Sequence, residues 1–324
     1  MSWMEPRKII KIGEKSYAIT LPKKWAKILG IKPGDSVNLT MDKNGVIHVY
    51  MINKKPKKEE GFAIVLDASK LSLNELEECL RGCYIEGLDS IIIKNLKRDE
   101  FKPPVLNDII VKLPGVIILE PGPEDIVLKI AITEDIIDLD EVVTRMSHIL
   151  ENMFDYMESY INTGKKDEGE TILKLDDELD RLYHLGQRLI RKKMRAKIMS
   201  SRNYLDLLDY LMIITNLEHI GDCLDRGVRI LLEKEWGDIQ DELRESVLKS
   251  RKIVFDTIAG IRYPNLKILS NLRLRRRELK QLLRNIVLKK PEFSGVVNEF
   301  ELISTLSTDI AEVTVFRYLR KQSE

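Results

Sequence analysis

The feature that most constrains this chain is a change of period at Asp138. Upstream, short β-branched runs alternate with turn residues. Downstream, strand signals vanish and apolar residues recur at the spacing of about 3.6 that marks amphipathic helices. Breaks at Asn162-Thr163-Gly164, Ser200-Ser201, Trp236-Gly237, Tyr263-Pro264-Asn265 and Pro291 divide this part into helices at 138–162, 165–198, 200–235, 238–262, 267–289 and 293–321. Such short connections favour antiparallel neighbours, so the pattern predicts two bundles of three helices. A chain of 324 residues is also long for one core, and two or three domains are expected.

Charge divides along the same line. Residues 1–60 hold 13 Lys/Arg against 6 Asp/Glu, whereas residues 133–190 hold 6 against 15, although the whole chain sums to +1. A positive module suits polyanions and a carboxylate-lined helical module suits cations. Apolar runs such as Ile91-Ile92-Ile93 fall far short of the roughly 20 residues that cross a bilayer. No signal peptide is evident, so a cytoplasmic protein without membrane insertion is expected. The three cysteines, Cys79, Cys83 and Cys223, argue against a disulfide framework and for a reducing compartment. Cys79 and Cys83 stand at i,i+4 with no further Cys or His nearby and read as buried small apolar residues.

At the front, strand patterns at Arg7–Gly13, Tyr17–Leu21, Val37–Met41 and Val46–Tyr50 surround a short helix, Lys23–Leu29. Gly13-Glu14-Lys15-Ser16 supplies the first turn, Pro22 opens the helix, Gly30 ends it, and Asn44-Gly45 closes the last hairpin. So small a unit makes a thin core and is expected to need a partner. Lys11-Ile12-Gly13, Ile19-Thr20-Leu21-Pro22-Lys23 and Leu29-Gly30-Ile31-Lys32-Pro33-Gly34-Asp35 carry a resemblance to the SpoVT/AbrB (MazE-like) swapped-hairpin DNA-binding family. It implies an intertwined homodimer that presents Lys8, Lys11, Lys15, Lys23 and Lys24 to DNA phosphates, contacts that position a protein without specifying sequence. A solvated basic face on a dimerisation module is the other reading.

Asn53–Glu60 is charged, contains Pro56 and reads as a linker. Residues 61–132 then alternate as β-α-β-α-β-β, with Ser72 and Glu75 forming a capping box, and predict a small sheet with helices on one face. No phosphate loop, catalytic constellation or metal spacing stands out there, so a spacer or dimerisation element is expected. The domain boundaries are accordingly 1–52, 61–132 and 133–324, with helical repeats at about 138–235 and 238–322.

In the helical part, Asp176 and Asp180 share a helix face at i,i+4, as do Glu218 and Asp222. Like charges at that spacing destabilise an isolated helix by roughly 0.2–0.5 kcal/mol. A divalent cation between them reverses the sign, because carboxylate oxygens are hard ligands. The alternative is a solvated acidic face satisfied by Arg181 and Arg226. Asp-x-x-Leu-Asp-x-Leu at 176–182 and Glu-His-Ile-Gly-Asp at 218–222 resemble the acidic motif of the PhoU family of phosphate-uptake regulators. The resemblance implies paired three-helix bundles, divalent or iron-type metal ions held by Asp176, Asp180, Glu218 and Asp222, and a role coupling phosphate supply to a transporter or to gene control. His184, one turn beyond Asp180, is a further ligand candidate, while His219 reads as packed or exposed.

The repeat is worn. Asp222, Asp225, Val228 and Leu232 align with Asp309, Glu312, Val315 and Leu319 at an offset of 87, but Glu218 then faces Thr305. The helix matching the acidic one carries Arg273, Arg275, Arg276, Arg277 and Lys280, so a metal site is expected in the first bundle only. A ferritin-like oxidase would need Glu-x-x-His on its helices, and the chain has none. The reading is therefore a non-enzymatic regulator that binds DNA as a homodimer and senses through its helices. The alternative is a PhoU-like regulator that docks on a phosphate transporter's cytoplasmic subunit or a sensor protein, with the N-terminal module serving dimerisation alone.

Overall fold

The computed structural model describes residues 5–41, 47–51, 62–96, 103–121, 125–132, 137–195, 201–263 and 266–322. The chain divides into two compact units, Met1–Glu60 and Gly61–Glu324.

In the first unit, β1 (Ile9–Ile12) and β2 (Ser16–Ile19) form an antiparallel hairpin, and β3 (Val37–Met41) and β4 (Ile47–Met51) form another. Gly13 opens the first turn with φ 68°, a left-handed conformation that favours glycine. Helix α1 (Lys23–Leu29) ends at Gly30, also left-handed, where the amides of Gly30 and Ile31 return to the carbonyls of Lys27 and Ala26. The Asn44-Gly45 turn and the linker at Asn53–Glu60 lie outside the described residues. Among the described side chains of this unit Pro22 alone is buried. Ile9, Ile12, Tyr17, Ile19, Leu39 and Met41 are all more than half exposed. Among the described residues, this unit has apolar faces and no interior that covers them.

The second unit opens with β5 (Ala63–Asp67), α2 (Leu73–Ile85), β6 (Ser90–Lys94), α3 (Pro103–Val111), β7 (Val116–Pro121) and β8 (Ile126–Ile130). The sheet order is β5-β6-β8-β7, with β5 and β6 parallel and the other pairs antiparallel. The Ser72–Glu75 capping box that starts α2 is complete: Glu75 N–H donates to Ser72 Oγ, and Ser72 N–H to Glu75 Oε2.

Six helices follow: α4 (Leu139–Thr163), α5 (Lys166–Arg195), α6 (Ser201–Leu232), α7 (Gln240–Arg262), α8 (Ile268–Lys289) and α9 (Ser294–Gln322). Asp138 caps α4 by accepting the Glu141 amide at 2.8 Å, and left-handed Gly164 ends it. Helices α4 to α6 pack together, as do α7 to α9, and the halves join through α6 on α9 and α4 on α7. One apolar cluster therefore runs through all six helices, from Leu139 to Val313, beside a separate one beneath the sheet. Among the described residues no helix is long and apolar enough to cross a membrane.

Arg188 of α5 fastens the sheet layer to the bundle. Its guanidinium is fully buried and donates to the carbonyls of Tyr84 (2.9 Å) and Leu88 (2.8 Å) at the end of α2. A cation there complements the negative end of that helix. Around it Arg191 and Arg195 reach Glu86, and Lys192 reaches Asp89 at 2.9 Å.

Candidate functional site

The acidic pairs of α5 and α6 face each other because the two helices approach closely at Gly221. A Cβ there would stand 2.2 Å from a Leu179 methyl and 3.3 Å from Asp176 Oδ1. Any side chain at this position would force the buried Leu179 side chain to shift. At this crossing Asp180, Glu218 and Asp222 each offer one oxygen, all within 4.8 Å of one another. They form the sole metal-competent group of this kind among the described residues. Asp176 stands beside them and shares their field.

The cluster is only partly compensated by cations. Burial first, then the neighbouring carboxylates, pushes Glu218 up to about 8, Asp176 to about 7 and Asp180 to about 6. Buried Asp176 Oδ1 and Glu218 Oε2 accept no hydrogen bond from the protein. His219 is exposed, and its Nε2 lies 3.5 Å from Glu218 Oε2, too far for a good hydrogen bond. The expected arginine partners serve the cluster only in part. Arg226 reaches Asp222 at 3.0 Å and also holds Glu299 of α9 at 3.1 Å. Arg181 makes no ion pair with the cluster among the described residues, and its buried Nε has no partner. Asp225, buried nearby, is neutralised by Arg229 at 2.7 Å. Hard oxygens facing one another with unmet acceptor capacity suit a divalent cation.

His184 does not join the cluster. It lines the adjoining cleft between α5 and the sheet layer with Glu77, Arg81, Lys112 and Asp180, and burial lowers its pKa. Cys83 is buried, Cys79 half-buried, and neither is in a disulfide.

In the first unit, Lys8 precedes β1, Lys11 lies on β1 opposite Tyr17, Lys15 is in the turn, and Lys23 and Lys24 begin α1. All five are exposed.

The comparisons with known proteins divide at the same place as the fold. A profile described as antidote-toxin recognition MazE, bacterial antitoxin, matches residues 10–61. A PhoU domain profile matches residues 143–230, from α4 through the acidic cluster on α6. This chain joins a MazE-like segment to a PhoU-like helical region. Among solved structures, the crystal structure of PhoU from Pseudomonas aeruginosa is similar, with a TM-score of 0.50 and 12% identity over 56% of this chain and 96% of that one. At that identity the likeness is one of fold. No curated protein matches the chain.

Two contributors escaped the sequence reading. Gly221 had a signal, since a mid-helix glycine costs about 1 kcal/mol relative to alanine and marks a close approach. Arg188 had none, because its partners lie about a hundred residues away.

Proposed function

We propose that the protein regulates phosphate uptake as a DNA-binding homodimer whose helical region holds a divalent cation at the α5/α6 carboxylate cluster. What carries the reading is the joining of two regulatory module types in one chain, the first of them unable to bury its own apolar residues. Intertwining two copies would cover Ile9, Ile12, Leu39 and Met41 and double the exposed lysines available to duplex phosphates. A cation would be held by Asp180, Glu218 and Asp222, with Asp176 beside them; it would neutralise the cluster and tie α5 to α6. The three unpaired thiols fit a reducing cytoplasm.

Duplex retention by the full-length protein at low salt tests the DNA role. Lys23→Glu with Lys24→Glu should abolish retention and leave the dimer intact. Absence of retention by the unaltered protein would favour the other reading, a transporter or sensor partner with the N-terminal module as a dimerisation device.

A further inference from the structure

The second bundle carries a counterpart helix pair with the charge reversed. Helix α9 follows α6 at the offset of 87, and α8 follows α5 at an offset of 100, which superposes buried Ile172 on Leu272 and Leu179 on Leu279. One pairing agrees with both offsets together. Asp176 lies against Gly221 in the first bundle, and Arg276 donates to Thr308, the counterpart of Gly221, at 2.9 Å in the second. By this register Asp176, Asp177 and Asp180 are replaced by Arg276, Arg277 and Lys280, and Glu218 by Thr305.

These residues line an open groove of about 690 Å³ with Arg273, Asn298, Glu301 and Ser304. Arg276 is held in place by two neutral oxygens, Thr308 Oγ1 and Thr305 Oγ1 at 3.1 Å, so its aim is fixed and its charge is not cancelled. Arg273, Arg277 and Lys280 make no ion pair among the described residues, and Glu301 is the one carboxylate in the lining. The other face of α8 behaves differently. There Arg275 pairs with Asp256, and Glu278 with Lys249 at 3.5 Å. Of the five α8 cations that make no ion pair among the described residues, all but Arg284 line the groove.

We propose that this groove binds an anion carrying adjacent phosphoryl groups, a short polyphosphate or a nucleoside polyphosphate. The cations from Arg273 to Lys280 follow one helix face for about 10 Å, longer than one phosphoryl group needs. Guanidinium forks with a terminal ammonium are the donors such oxygens prefer.

Calorimetric titration of the metal-free full-length protein with inorganic tripolyphosphate, ATP, orthophosphate and sulfate tests it. Tripolyphosphate should bind, with orthophosphate and sulfate at least about tenfold weaker. Tighter binding of ATP than of tripolyphosphate would assign the site to nucleotides, and the reverse to inorganic chains; both support the proposal. Arg277→Ala with Lys280→Ala, both exposed, should weaken tripolyphosphate about tenfold or more with the melting temperature unchanged. Lys23→Glu with Lys24→Glu should leave that affinity as it was. No binding by the unaltered protein, equal binding by the groove variant, or loss that follows the Lys23 and Lys24 changes instead overturns the assignment. So does a groove variant that loses duplex DNA but keeps tripolyphosphate.

Discussion

Replacing Glu218 by Gln should stabilise the metal-free protein at high pH while leaving it unchanged at low pH. Glu218 is raised from 4.5 to about 8, first by its burial and then by Asp222, Asp180 and Asp176. A carboxyl whose folded pKa lies above its unfolded one favours the fold while protonated. That contribution is complete below about pH 4.5 and is lost as pH rises through about 8. An isolated carboxyl raised this far would forfeit about 5 kcal/mol at about 1.4 kcal/mol per pH unit. The same repulsion also raises Asp176 and Asp180, and the side chain keeps 15% exposure, so roughly 2 kcal/mol at pH 9 is the reasonable share of Glu218 alone. For a unit of this size that is a gain of about 4–8 °C in melting temperature. The assay is thermal unfolding followed by far-ultraviolet circular dichroism in EDTA, for both proteins, at pH 5, 7 and 9. The unaltered protein should lose stability as pH rises from 6 to 9, and the variant should lose less. A variant that melts lower at pH 9, or whose shift is equal at pH 5 and 9, refutes the picture of a strained carboxylate cluster.

Arg188→Met should cost about 3 kcal/mol or more in urea unfolding, because the carbonyls of Tyr84 and Leu88 lose a buried cationic donor. Unchanged stability would mean that the sheet layer is anchored elsewhere. Gly221→Ala places a methyl 2.2 Å from a fully buried Leu179 and should destabilise by about 1–3 kcal/mol despite the better helix propensity of alanine. A stabilised Gly221→Ala protein would show that the α5/α6 crossing is looser than described.

Much of this architecture was legible because local signals agreed with it. In the sequence, Gly164, the 200–201 serines, Trp236-Gly237, Pro264 and Pro291 mark the five breaks between the six helices, within a few residues of where the helices end. Ser72 and Glu75 announce α2, and Gly30 closes α1 where its left-handed conformation is needed. Asp176, Asp180, Glu218 and Asp222 stood out because repulsive i,i+4 pairs require a tertiary reason. What stayed hidden is long-range. Nothing local says that the two bundles share one core, or that Arg188 leaves the helical face of α5 to cap α2. The basic run on α8 looked uniform in sequence. Packing separates Arg275, paired with Asp256, from the four cations that enter the groove. A single repeat offset also concealed the counterpart of Asp176, since α8 follows its partner at 100 and α9 at 87.

Elemental analysis of the purified full-length protein, after desalting in the presence of a weak chelator, tests the α5/α6 centre most directly. The unaltered protein should retain divalent or iron-type metal in fixed proportion to chain. Asp222→Asn, on an exposed edge of the cluster, should retain far less while its circular dichroism is unchanged. Equal metal content in the two proteins, or none in either after growth and refolding with added metal, would contradict a carboxylate-bound cation between these helices.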